Sequence, residues 1–262
     1  MSRGASPRRG AGRGADRGEG LGGDQVEGRQ AVRELLRAGR RRVRELWVAP
    51  SRDAPVLDEI LDLAGAAGVR VRQVSAVELD ARARTESPQG VLARAAPVEP
   101  ADLDDLLARP DAFLVALDGV TDPGNLGAVL RVAETAGATG VVLARHRSAR
   151  LSPAAVKAAA GAVEWLAIAT AAGIPAVLDR AQRAGVWSVG LDAAGDAEVF
   201  ELAVADRPLM LVLGAEGRGL SRLARDRCDL VASVAMYGRL ESLNVATAAA
   251  VAFHAVARQR AR

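Results

Sequence analysis

One cysteine, Cys228, stands among 262 residues. A single thiol excludes an internal disulfide and any cysteine-based zinc cluster, and His146 and His254 are the only imidazoles left to hold a metal. No structural metal is expected. Long apolar runs are missing too: nothing uninterrupted approaches the length of a membrane span, and no apolar segment follows the positive N-terminus as in a secretion signal. The expectation is a cytoplasmic protein with no membrane partner. Lysine is nearly absent, Lys157 being the only one, so the basic side chains are almost all arginine. The net charge of +3 with so many arginines suits a nucleic-acid partner, although a GC-rich genome enriches arginine and alanine by itself.

Half of the residues are apolar, enough to bury a core in two modest domains. Residues 1–23 are a Gly/Arg-rich tail with almost nothing to bury, and disorder is expected there. From Gln25 the pattern changes. Val32, Leu35 and Leu36 share one helical face with Gly39 as a stop, 43–49 reads as a strand, and 55–66 as a helix. V-R-V-R-Q-V alternates with period two, a helical turn covers 77–83, and S-P-Q-G leads into a last strand at 91–95. A small α/β domain over 24–96 follows, with an arginine-rich exterior suited to RNA phosphates. Three prolines and several acids mark 97–111 as a linker holding a short helix.

Residues 112–262 form the second domain. F-L-V-A-L reads as a buried strand; Asp122-Pro123-Gly124 forms a turn, Asn125 caps the next helix, and Arg131 lies one and a half turns into it. Strands at 140–143, 166–169 and 186–191 alternate with helices at 152–164 and 175–184, which predicts a mostly parallel sheet with ligands at the carboxyl ends of its strands. Two such ends lie in 208–246. One apolar run empties into a loop with Gly214, Gly217 and Gly219 around Glu216; the other ends in Met236-Tyr237-Gly238 and then Ser242-Leu243-Asn244, at the mouth of an alanine-rich helix over 242–257. The two loops suggest one composite pocket. G-A-E-G-R-G is not G-x-G-x-x-G, no G-K-[ST] occurs, and no base stands near Ser242, so nucleotide-phosphate and hydrolase chemistry are disfavoured.

Three segments, D-P-G-N-L-G-A-V-L-R, L-V-L-G-A-E-G-R-G-L-S and V-A-M-Y-G-R-L-E-S-L-N-V-A, resemble in order the three motifs of the SpoU/TrmH branch of the SPOUT RNA methyltransferases. The first domain, from Glu27-Gly28-Arg29 to Gln89-Gly90-Val91, resembles the L30e-like substrate-binding module of that family. Pro88 stands where relatives usually have His, and Ala246 where they have Ser. The resemblance implies a trefoil-knotted SPOUT domain, a homodimer burying the last helix, and methylation of an RNA ribose 2′-hydroxyl from S-adenosylmethionine without a metal. The two-domain layout is most similar to the bacterial enzymes acting on a guanosine of 23S rRNA near the peptidyl-transferase centre. A tRNA ribose methyltransferase is the near alternative, and a non-catalytic RNA-binding assembly factor the alternative of another class. Carried over residue by residue, the resemblance implies catalytic roles for Asn125, Arg131, Glu216, Ser242 and Asn244, with Glu216 orienting Arg131 or Asn244. It implies cofactor contacts at Gly214, Gly219, Val234, Met236 and Leu243.

Overall fold

The computed structural model describes residues 20–50 and 54–261; most of the expected tail, 1–19, lies outside the described residues. The end of that tail is tied down. Leu21 N–H donates to Val98 O and Gly23 N–H to Leu151 O, each at 2.8 Å.

The first domain is a four-stranded sheet built from β1 (Gln25–Glu27), β2 (Val43–Val48), β3 (Val71–Gln73) and β4 (Val91–Ala95), in the order β1-β4-β2-β3. Strand alternation serves both faces. Leu46 and Val48 turn toward α1 (Arg29–Ala38) and α2 (Ala54–Ala66), whose Val32, Leu35 and Ile60 are buried with them; Trp47 and Ala49 turn toward Leu79 of α3 (Ala76–Arg82). The expected alternating strand is only the short β3, at the sheet edge, where a short strand limits unwanted pairing.

The second domain is a seven-stranded sheet in which every adjacent pair is parallel. Its strands are β5 (Phe113–Asp118), β6 (Gly140–Ala144), β7 (Ile168–Ala171), β8 (Trp187–Leu191), β9 (Ala197–Glu198), β10 (Leu209–Gly214) and β11 (Leu230–Ser233), ordered β7-β6-β5-β10-β8-β11-β9. Helices cover both faces, so the central strands are continuously apolar. Phe113, Val115 and Leu117 face α5 (Pro123–Thr135), α6 (Pro153–Ala158) and α9 (Val245–Arg260); Leu114 and Ala116 face α4 (Leu103–Leu107), α7 (Ile174–Arg183) and α8 (Arg222–Arg227). The short helix of the expected linker is therefore part of the core, with Leu103, Leu106 and Leu107 buried. No helix among the described residues is long and apolar enough to cross a membrane.

Two local expectations are corrected. The cap of α5 is Asp122, whose carboxylate accepts from Asn125 N–H at 2.7 Å, and not Asn125. Pro123 explains the shift: proline suits the first helical position, which moves the cap one residue before it and places Asn125 inside the first turn. The single helix expected over 152–164 is broken after Ala158, with Gly161 at φ 98 before a 3-10 turn at Ala162–Glu164. Gly161 packs directly on α1, where an added Cβ would lie 2.3 Å from Glu34 Cβ. The break lets the two domains meet.

That junction holds a buried ion pair. Arg41 of the first domain and Glu164 of the second have side chains 8% and 1% exposed. Arg41 Nε donates to Glu164 Oε2 at 2.8 Å, its Nη2 donates to Oε1, and its Nη1 donates to the carbonyls of Gly23 and Ala96 at 2.8 Å each. Around it, Trp165 Nε1 donates to Glu34 at 3.2 Å, and the lone lysine, Lys157, donates to Ser87 O.

Candidate active site

Four strands end at one level. Leu143, Leu117, Leu213 and Leu191 form a row across β6, β5, β10 and β8, so the loops that follow leave the sheet side by side. A cavity of about 570 Å³ opens at the ends of β8, β10 and β11, a size suited to a small cofactor. It is lined by all five expected cofactor residues, Gly214, Gly219, Val234, Met236 and Leu243, and also by Glu216, Ser242 and Asn244.

Gly214 must be glycine for a reason internal to the loop. A Cβ there would lie 2.0 Å from the carbonyl carbon of Gly219 and 2.2 Å from Leu220 N, because the chain folds back and pairs Ala215 with Gly219 through two backbone hydrogen bonds of 2.9 and 2.8 Å. The hairpin aims Glu216 at the first turn of α5.

There Glu216 meets Asn125, not the expected Arg131 or Asn244. Asn244 caps α9, its Oδ1 accepting from Ala246 N–H at 2.9 Å, which leaves its Nδ2 pointing outward to donate to Asn125 Oδ1 at 3.2 Å. Asn125 Nδ2 in turn donates to Glu216 Oε1. The polarity is consistent from the helix cap to the carboxylate, the acceptor that ends the chain. Three loops, after β5, β10 and β11, are thereby joined.

Arg131 is not brought into the cavity of its own chain. Six residues along α5 move it about 9 Å up the axis and turn it about 240° from Asn125. It is exposed and has no hydrogen-bond or ion-pair partner among the described residues.

The sequence reasoning missed the third wall, Leu191, Asp192 and Ala193. The L-D-A run directly after a strand was the available signal, since it marks another carboxyl end of the parallel sheet. Burial raises the Asp192 carboxyl, but the Ala194 N–H and the Arg225 guanidinium, 2.7 Å away, outweigh it and hold the pKa below the ordinary aspartate value. Arg225 comes from α8, the short helix between β10 and β11.

The donor set fits a cationic, partly apolar ligand: Leu191, Leu213, Val234 and Leu243 offer flat walls, while Asp192, Glu216 and Glu241 offer carboxylates to a sulfonium and an ammonium. A parallel α/β domain with such a cavity at its strand ends, joined to a small arginine-rich module, defines a two-domain RNA-modifying enzyme. Residues 112–254 match the model of the SpoU rRNA methylase family, and residues 25–101 that of the RNA 2′-O ribose methyltransferase substrate-binding domain. The chain is 39% identical over 244 residues to the 23S rRNA (guanosine-2′-O-)-methyltransferase RlmB of Pseudomonas syringae pv. tomato, covering 90% of this chain and 96% of that protein. The SpoU methyltransferase AviRb from Streptomyces viridochromogenes, solved in complex with AdoMet, superimposes with TM-score 0.75 at 28% identity over 90% of both chains. A structure described as showing 2-OH methylation of C/U34 on tRNA matches with TM-score 0.52 at 26% identity, covering 58% of this chain and 97% of its own.

The chain belongs to the SpoU rRNA methylase family. It is an RNA 2′-O-ribose methyltransferase, and S-adenosylmethionine is its methyl donor.

Proposed function

We propose that the substrate is a guanosine of 23S rRNA near the peptidyl-transferase centre, methylated on its ribose 2′-hydroxyl by a cytoplasmic homodimer. The observation that carries the rRNA reading is coverage: the Pseudomonas relative named for that reaction shares both modules, whereas the tRNA-directed neighbour matches only 58% of the chain.

The bound cofactor supplies an electrophilic methyl on a sulfonium centre. Val234, Met236 and Leu243 hold its apolar part, and the backbone of Gly214 and Gly219 closes the wall beside it. Ser242 and Asn244 position the target ribose, and Glu216 fixes Asn125 and Asn244 before substrate arrives. Arg131 binds the adjoining phosphate and polarises the hydroxyl; a guanidinium stays protonated and does not serve as the base.

Arg131 acts on the partner's cavity. Its outward placement supports this, as do the apolar Tyr237 and Leu240, which stand in the segment between the cavity-lining Met236 and Glu241 and are 94% and 78% exposed. What supports a knotted path is the insertion of β10 between β5 and β8, with α9 hydrogen-bonded under the crossover that precedes β10 through Gln259 and Arg260.

Mapping 2′-O-methyl sites in ribosomal and transfer RNA with and without this gene tests the substrate: loss of one 23S guanosine mark is expected, and loss of a tRNA mark alone refutes the rRNA reading. Subunit mixing tests the dimer. Arg131→Ala and Glu216→Gln chains, each inactive alone, should recover about a quarter of the wild-type rate when mixed equally, since half the dimers carry one intact site. No recovery would place Arg131 in its own chain's site.

A further inference from the structure

The loop between β6 and α6 reads R-H-R-S-A-R over residues 145–150. Arg145, His146, Arg147 and Arg150 are all exposed, no acid lies within the loop, and none of the three guanidiniums has a partner among the described residues. Many other arginines are already engaged: Arg33 and Arg37 by Glu34 and Glu59, Arg72 by Glu45, Arg180 by Asp104, Arg227 by Asp179.

The backbone of this loop is fixed while its charges are free. Arg145 N–H donates to Ala171 O and Ala149 N–H to Val120 O, both at 2.8 Å; Ser152 N–H donates to Arg150 O at 2.7 Å, and Leu151 is 2% exposed. Arg147 sits at φ 56, a conformation that glycine or asparagine adopts more readily, so the turn carries a cation against local preference.

Its position relates it to the active site. Leu143 is level with Leu117, Leu213 and Leu191, the last two lining the cavity, and the loop begins two residues further on. Between β6 and β10 lies only β5, so the loop leaves the sheet about 10 Å from the cavity wall, two strand spacings away. Val120, to which it is hydrogen-bonded, belongs to the segment that leads to Asn125.

We propose that residues 145–150 form a phosphate-binding track that holds the backbone of the RNA strand on its way to the active site. The proposal rests on the RNA substrate reading. Unpaired guanidiniums on a fixed backbone fit a row of phosphates, because they take up two oxygens at once and need break no internal ion pair to do so.

The test is equilibrium binding of the full-length protein to a 23S rRNA fragment across a salt series, comparing wild type with R145A/R147A/R150A, R145K/R147K/R150K and the control R109A, which precedes β5 at the opposite end of the sheet from the cavity. Three lost phosphate contacts should flatten the slope of log K against log salt by about 2, so that wild type loses roughly 20-fold more affinity than the triple alanine variant between 50 and 200 mM salt. The lysine variant should keep most of the slope, R109A all of it, and calorimetric S-adenosylmethionine affinity should be unchanged in every variant. An unchanged slope in the triple alanine variant, with wild type binding normally, overturns the track alone. Failure of wild type to bind or methylate any RNA overturns the substrate reading on which it rests.

Discussion

Replacing Glu164 by Gln should loosen the domain junction more than any other single-atom change in it. The carboxylate is 1% exposed and receives two of the donors of Arg41, itself 8% exposed. Removing one partner of a buried pair leaves an uncompensated charge, a loss of about 3–5 kcal/mol. Glu164→Gln should fall near the lower end, because the amide oxygen keeps one acceptor and the carbonyls of Gly23 and Ala96 still receive Nη1. A loss of about 3 kcal/mol corresponds to a melting temperature lower by about 6–12 °C in a chain of this size. Arg41→Met strands the carboxylate instead and should cost about 3–5 kcal/mol. The double variant Arg41→Met/Glu164→Met removes both charges and should recover most of the loss, since a buried pair replaced by apolar groups is often neutral. Urea unfolding of wild type, Arg41→Met, Glu164→Met and the double variant, with Glu164→Gln alongside, followed by Trp47 and Trp165 fluorescence and by circular dichroism, closes the cycle. Additive single losses, or a Glu164→Gln variant within about 0.5 kcal/mol of wild type, would refute the view that this pair couples the domains.

Gly214→Ala places a Cβ against backbone that cannot swing away, so it should cost about 1–3 kcal/mol or more and weaken S-adenosylmethionine binding in calorimetry; full affinity with unchanged melting would contradict the close approach to Gly219. Asn125→Asp sets a second carboxylate against Glu216 and should lower single-turnover methylation further than Asn125→Ala does; equal rates for the two would remove the Asn125–Glu216 bond from the argument. Burial, followed by the charges of Asp229 and Asp118, pushes the Cys228 thiol from 9.0 up to about 12. The folded state thus keeps a proton that the unfolded state loses from pH 9 upward, so stability falls as pH rises from 9 toward 12, and Cys228→Ala should make that alkaline slope shallower in denaturant titrations.

The residues that line the cavity were legible because their types are unusual at their places. Three glycines around an acid at a strand end, and a Ser-Leu-Asn run before a helix, point to a pocket whatever surrounds them. Asn125 was harder, since Asp122 and Asn125 are both good caps and only Pro123 between them decides which one is freed for the site. The break at Gly161 could not be read locally at all. Its cause is Glu34, 127 residues earlier and in the other domain. The wall at Asp192 was missed because its partner Arg225 lies in α8, a helix of six residues too short to leave a periodic pattern.

The hydrogen-bond chain through Asn125 gives the site a mechanical unity that no single motif has. Glu216 belongs to the hairpin after β10, Asn244 to the cap of α9, and Asn125 to the first turn of α5, and α5 and α9 pack on the same face of the sheet. The 214–219 hairpin is therefore tied through Asn125 to the start of α5, the helix that carries Arg131. The core face of α5 holds that helix in place, because Leu126, Val129 and Leu130 are fully buried and close packing leaves them no room to shift. On this geometry Asn125 acts by position: it keeps the cavity wall at Glu216 in a fixed relation to the helix that carries Arg131, although Arg131 lies about 120° away around that helix.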